Sequence, residues 1–152
     1  MNLKIAIIGS GPSAFYTAQS LLKQEIDYEI DIIEKLFSPY GLIRYGVAPD
    51  HQSTKNVTRV FERVLNNPKV EFFGAIEINN SPSIDDLMEI YDAVVIATGM
   101  AQDKKLNINE HNKDGYYGAT QFVNWYNGHP EYENLNPNLN VESAIIIGNG
   151  NV

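Results

Sequence analysis

The sequence predicts an α/β fold built on a parallel sheet buried on both faces, and three features predict it. Residues 3–8 and 92–97 are short, nearly continuous apolar runs, the composition of strands covered on both sides. Residues 28–33 add a third run, carrying Ile30, Ile32 and Ile33. Between the first and third of these runs, positions 12–24 place Ala14, Ala18, Leu21 and Leu22 at helical spacing. Strand, helix and strand in succession before Glu34 form a crossover whose right-handed closure lays the two strands parallel.

The elements follow in order. Pro12 suits the first turn of the helix over 12–24. Residues 36–51 read as a loop, punctuated by Pro39, Gly41, Gly46 and Pro49. A helix over 53–66 sets Val57, Val60, Phe61, Val64 and Leu65 on one face, with Lys55, Arg59 and Arg63 recurring every four residues on another. Residues 69–78 are strand material interrupted at Gly74, and a short helix over 84–89 leads into the strand at 92–97, which ends at Thr98-Gly99. Residues 102–117 are polar and irregular, 118–127 form a helix, and 129–142 a polar linker. Residues 143–147 read as a last buried strand. No repeat recurs at a period of roughly 20–50 residues.

Composition sets the bounds. A chain of 152 residues, 43% apolar and 20% charged, suits one globular domain with a real core and argues against disorder. The absence of cysteine excludes a disulfide framework, a Cys-ligated zinc or iron–sulfur centre and a redox dithiol in this chain. With 11 Lys+Arg against 19 Asp+Glu the net charge is −8, so no nucleic-acid partner is expected. No stretch approaches the roughly 18–20 apolar residues of a membrane span, and the N-terminus runs straight into an apolar strand without a leader. The expectation is a soluble, cytoplasmic protein with no membrane partner.

After the first strand the chain reads Gly9-Ser10-Gly11-Pro12-Ser13-Ala14, a G-x-G-x-x-A turn. Gly9 permits the tight strand-to-helix reversal, Gly11 lets a pyrophosphate approach the backbone, and Ala14 lets the helix pack closely on the sheet. The N-terminus of that helix offers N–H groups and partial positive charge to phosphates. Glu34 ends the second strand, and its separation from Gly9 is near that of a carboxylate that accepts ribose hydroxyls. The set predicts a Rossmann-like dinucleotide-binding domain. A carboxylate at the adenosine ribose disfavours a 2′-phosphate there, so this site suits FAD or NAD better than NADP.

The motif recurs in half at residues 143–152, where a buried-type strand runs into Gly148-Asn149-Gly150-Asn151-Val152. The expected organisation is an incomplete FAD-binding domain over 1–142 and, over 143–152, the first strand and glycine loop of a truncated second dinucleotide-binding domain.

Two such motifs flanking Tyr91-Asp92-Ala93-Val94-Val95-Ile96-Ala97-Thr98-Gly99 resemble the flavoproteins with two dinucleotide-binding domains. The likeness sharpens at Pro39-Tyr40-Gly41-Leu42-Ile43-Arg44-Tyr45-Gly46-Val47-Ala48-Pro49-Asp50-His51 and at Phe122-Val123-Asn124-Trp125-Tyr126-Asn127-Gly128. Together these make the chain similar to the first third of the adrenodoxin-reductase type of ferredoxin–NADP+ reductase. One departure is the stretch from Asp103 through Lys104 and Lys105, where such enzymes carry an Arg and then I-P-G-E.

The resemblance implies an oxidoreductase that passes electrons from NADPH through FAD to a ferredoxin-type iron–sulfur protein. It implies FAD contacts from Gly9, Ser10, Gly11, Pro12, Ser13, Ala14, Glu34, Lys35, Gly41, Leu42, Ile76 and Gly99. It also implies an NADP site begun by Asn149, Gly150, Asn151 and Val152, with His51 as the candidate catalytic residue near the flavin–nicotinamide contact. Arg44 serves the flavin phosphates or pairs with an acid; Trp125 and Tyr126 read as packing residues. The Lys55, Arg59, Arg63 stripe is either a solvated helix face or a docking face for an acidic ferredoxin. Alternatives are another flavoprotein of the class, such as a glutamate synthase small subunit, or a non-catalytic nucleotide-binding fragment.

Overall fold

In the computed structural model, which describes residues 3–79, 81–100, 103 and 114–149, the predicted parallel sheet is present. Four strands, β1 (Leu3–Ile8), β2 (Tyr28–Ile33), β3 (Val70–Phe73) and β4 (Ala93–Ile96), are arranged in the order β3-β2-β1-β4. All pairings are parallel, with Ile8 opposite both Ile33 and Ile96. The central strand β1 alternates between two buried faces, as a strand period of two requires. Ile5 and Ile7 join a core with Ala14, Phe15 and Ala18 of α1 (Pro12–Leu21), while Ala6 and Ile8 join Ile33 and Leu87 on the other side. Phe15 stacks on Phe61 with ring centroids 4.6 Å apart, which pins the helix carrying Phe61 to the α1 face.

The region after β2 differs from the expected loop. It holds α2 (Gly41–Tyr45), which follows Tyr40 in a left-handed conformation. The single helix expected over 53–66 is broken into α3 (Gln52–Lys55) and α4 (Thr58–Leu65). A physical reason lies in Lys55, whose ammonium donates to the carbonyls of Ile43 (3.0 Å) and Arg44 (3.1 Å) and so caps the last turn of α2. The three-cation stripe therefore does not exist as such. Lys55 is turned inward, and only Arg59 and Arg63 share an exposed face of α4.

Two further helices match their predicted positions. The first, α5 (Ile84–Ile90), opens with a reciprocal cap: Ser83 Oγ accepts from Asp86 N (3.1 Å) and Asp86 accepts from Ser83 N (2.8 Å). The second, α6 (Ala119–Tyr126), is capped from a distance by Asp103, which accepts from Thr120 N (3.0 Å). The linker after it contains a short 3-10 turn, Pro130–Tyr132.

The strand expected over 143–147 is not formed. Ile145, Ile146 and Ile147 are 91%, 86% and 67% exposed. An apolar run becomes a strand only when a neighbour takes its backbone hydrogen bonds, and no described strand lies beside this one. Among the described residues no helix is long and apolar enough to cross a membrane.

Candidate functional site

The site is assembled where β1, β2 and β4 end together. In-register pairing of Ile8 with Ile33 and Ile96 brings Gly9, Glu34 and Ala97 side by side at the carboxyl edge of the sheet, the edge at which parallel sheets bind ligands. Gly9 turns the chain at φ +100°, and its N–H donates to Ile33 O (2.7 Å). A Cβ there would lie 2.5 Å from Ala97 O, so the end of β4 seals one side of the turn.

Gly11 differs in kind. It is the N-cap of α1 with ordinary backbone angles, and a Cβ on it would meet no atom within 4 Å. The helix behind it has Pro12 at its start, no acidic residue in its first turn and no side-chain cap. Its first-turn amides are thus left to an external acceptor. On the far side Gly41, at φ +46°, packs against Gly11, with a hypothetical Cβ 3.0 Å from Gly11 Cα. Tyr40 N donates to Ser10 O (2.9 Å), so the head of α2 walls the glycine turn.

Glu34 faces that turn half-buried. Its Oε2 accepts from Ser10 N (2.9 Å) and Ser10 Oγ (2.7 Å), and its Oε1 from Leu36 N (3.1 Å). The expected carboxylate is in place, and it is also bonded to the glycine loop, a link that spacing in sequence does not reveal. Beside it Ile76 N donates to Glu34 O (2.9 Å), while the Ile76 side chain packs on the core. Leu42 is exposed in α2, and a Cβ on Gly99 (φ +70°) would meet no described atom within 4 Å. Lys35 forms an ion pair with Glu131 of the 3-10 turn, which raises the Lys35 pKa chiefly through that hydrogen bond.

Sequence reasoning passed over His129, the residue that precedes the 3-10 turn carrying Glu131. It lies against the rings of Tyr45 (4.6 Å) and Tyr132 (5.2 Å), and its Nδ1 accepts from Glu131 N (3.1 Å). Its pKa is lowered, first by burial; Lys35 adds to the lowering, while Glu131 and Glu34 oppose it. A folded pKa below the ordinary 6.5 means that the folded state resists protonation. The contribution to stability is thus whole above pH 6.5 and is lost as pH falls below it. Thermal unfolding temperature should drop between pH 7 and pH 5.5 by more in the parent than in His129→Asn, whose Oδ1 still accepts; equal slopes would remove His129 from the account.

Other expected residues are placed less closely. His51 precedes α3 and its carbonyl accepts from Thr54 N and Lys55 N, but its exposed side chain bonds to no other described residue. Arg44 pairs with no acid among the described residues: its Nε donates to Pro39 O (2.9 Å) and its guanidinium lies 5.3 Å from the centre of the Tyr40 ring. Trp125 and Tyr126 pack with Phe122 at ring distances of 5.6 and 6.0 Å, in keeping with a packing role. A cavity of about 440 Å³ opens between α2, α3 and α6, lined by Tyr40, Arg44, Lys55 and Asn127 among others. Asn149 is exposed, whereas Gly150, Asn151 and Val152 lie outside the described residues, as does the departing Lys104-Lys105 pair. No acidic or histidine cluster able to hold a metal occurs among the described residues.

Comparison with known proteins adds a second line. No family model matches the chain. It is 44% identical over 153 residues to NADPH-ferredoxin reductase FprA of Mycobacterium tuberculosis, covering 97% of this chain and 34% of that protein. It is also 44% identical over 151 residues to the mitochondrial NADPH:adrenodoxin oxidoreductase of Arabidopsis thaliana, covering 99% of this chain and 31% of that one. The solved structure of Mycobacterium tuberculosis FprA in complex with NADPH superimposes with a TM-score of 0.87 at 42% identity, over 90% of this chain and 31% of that one. The chain spans about a third of the length of the curated relatives it matches. Its likeness to adrenodoxin-reductase-type enzymes, read from the motifs, holds along nearly all of its own length.

Proposed function

We propose that the chain is the FAD-binding part of an adrenodoxin-reductase-type enzyme, a flavoprotein that passes electrons from NADPH through FAD to a ferredoxin-type iron–sulfur protein. The observation that carries the reading is the meeting of the Glu34 carboxylate with an open, uncapped helix N-terminus at Gly11. That pair fits a dinucleotide: the first turn of α1 has donors for a pyrophosphate and space for it, and the carboxylate is an acceptor for ribose hydroxyls.

In this reading Gly9, Ser10, Gly11, Pro12, Ser13 and Ala14 form the phosphate turn, and Glu34 with Lys35 stands at the adenosine end. Gly41, Leu42, Ile76 and Gly99 line the rest. Residues 1–142 belong to the FAD domain, and 143–152 open the NADP domain, with Asn149, Gly150, Asn151 and Val152 in its glycine loop. His51, the residue that precedes α3, is assigned to the flavin–nicotinamide contact. Bound FAD supplies a two-electron acceptor that can release electrons singly. The chain's own residues bind it and hold its ribose and pyrophosphate. Reductase activity is proposed for a protein of the relatives' length. We place the protein in the cytoplasm; fractionation tests this, since several relatives are named as mitochondrial.

The test is direct. The purified protein should be yellow, release FAD on denaturation, and, at full length, drive NADPH-dependent reduction of a ferredoxin. A colourless protein that takes up no FAD would overturn the proposal.

All three arginines of this −8 chain, Arg44, Arg59 and Arg63, fall between positions 44 and 63. Arg59 and Arg63 are exposed, without an ion pair among the described residues. If they steer an acidic ferredoxin, reversing both to Glu should raise the KM for ferredoxin by roughly 3- to 10-fold at low salt. NADPH oxidation by a small artificial acceptor should be unchanged. Equal losses with both acceptors would point to the fold instead, and no change with either would leave the pair as plain surface.

A further inference from the structure

We infer that Ser10 is a positioning residue for the adenosine ribose of the cofactor, acting through Glu34 and not by touching the nucleotide. The inference rests on the dinucleotide reading above and assigns within it a role that the glycine motif does not. Ser10 occupies the variable position between Gly9 and Gly11, yet it is 1% exposed, the most enclosed polar side chain of the described chain. Its hydroxyl lies 2.7 Å and its backbone N–H 2.9 Å from the same oxygen, Glu34 Oε2.

A hydroxyl has one proton. So close to a carboxylate oxygen, that proton is donated to Glu34, because the ionised carboxylate has none to give. What remains on Ser10 Oγ is acceptor lone pairs. A phosphate oxygen is also an acceptor, so Ser10 Oγ in this arrangement cannot serve the pyrophosphate, although it sits in the phosphate turn. Its work is on the carboxylate. Two donors from Ser10 fill Oε2, and Leu36 N fills one side of Oε1, leaving the second acceptor site of Oε1 for a ribose hydroxyl. The strand end and the glycine turn therefore hold the carboxylate from both sides, in one rotamer, before any ligand arrives. Removing the Ser10 hydroxyl takes away one of the three donors and leaves Ser10 N and Leu36 N, which loosens the hold on the Glu34 carboxylate and weakens the adenosine end alone.

The full-length protein, stripped of flavin and titrated separately with FAD and FMN, tests this. Ser10→Ala should raise the Kd for FAD by roughly 3- to 10-fold and leave that for FMN, which has no adenosine, unchanged. Ser10→Cys, which keeps the shape with only a weak donor, should follow Ser10→Ala and separates the hydrogen bond from packing. On a Glu34→Ala background, Ser10→Ala should add no further loss, the signature of two residues acting as one unit. Equal weakening of FMN, independent losses in the double variant, or unchanged FAD affinity in Ser10→Ala would each overturn the assignment. A Glu34→Ala variant that binds FAD as tightly as the parent would remove Glu34 from the ribose and overturn this inference, whereas a full-length parent that takes up no FAD would overturn the dinucleotide reading itself.

Discussion

Gly9→Ala should cripple folding, whereas Gly11→Ala, two residues on, should fold and fail to hold FAD. At Gly9 the added methyl meets two obstacles. The left-handed angle of +100° costs an L-residue roughly 1–2 kcal/mol. The Cβ would also stand 2.5 Å from Ala97 O, a backbone atom that moves only if β4 parts from β1. Overpacking of that kind adds about 1–3 kcal/mol, and the sum is a large share of the roughly 5–15 kcal/mol that a domain has in all. At Gly11 the backbone is ordinary and the methyl enters open space, so stability should change by less than about 1 kcal/mol. That space is where the pyrophosphate is proposed to lie. Thermal unfolding and flavin content, measured together, should therefore separate the variants; two equally stable proteins, or a Gly11→Ala protein with full flavin, would contradict the assignment.

Glu34→Ala should lower FAD affinity by about 1–3 kcal/mol, or roughly 5- to 150-fold. Two losses combine. The ribose loses a charged acceptor, and Ser10 and Leu36 lose the partner that fixes the loop. Glu34→Gln keeps the shape and one carbonyl oxygen, so it should fall between the two. Flavin content of the purified variants reads the effect, and an unchanged content in Glu34→Ala would remove the residue from the site.

The central elements were legible because burial leaves a strong trace in sequence. β1, β2 and α1 lie where the Ile-rich runs and the spacing of Ala14 and Ala18 put them. Glu34 was legible for the same reason: once Ile8 pairs with Ile33 in parallel, the next residues of each strand must meet. The bond from Glu34 to Ser10 was not, since it depends on how the turn folds back in space. The same holds for α2, whose last carbonyls are satisfied by Lys55 from beyond the next turn of chain. That long-range cap also explains the break before α4, which apolar periodicity alone would bridge. The apolar run at 143–147 shows the converse error. Composition reports a tendency to be covered, and says nothing of what covers it.

The sheet order fixes a timetable for synthesis. β1 lies between β2 and β4, and its two neighbours arrive at very different moments. Leu3 pairs with Tyr28, in the next strand to be made, but Ile5 pairs with Ala93, in the last of the four described strands. At about 5–20 residues per second of translation, the first flank of β1 can be joined within a few seconds of its emergence. The second flank waits on the order of 5–20 seconds. For that interval the nascent chain presents a finished crossover with the β4 side of β1 unpaired, the kind of edge that pairs with a neighbouring chain on the same polysome. Gly9 spends the same interval without the wall of Ala97, so the cofactor turn is completed only when β4 docks. Flavin capture should accordingly come after, and never before, β4 has left the ribosome.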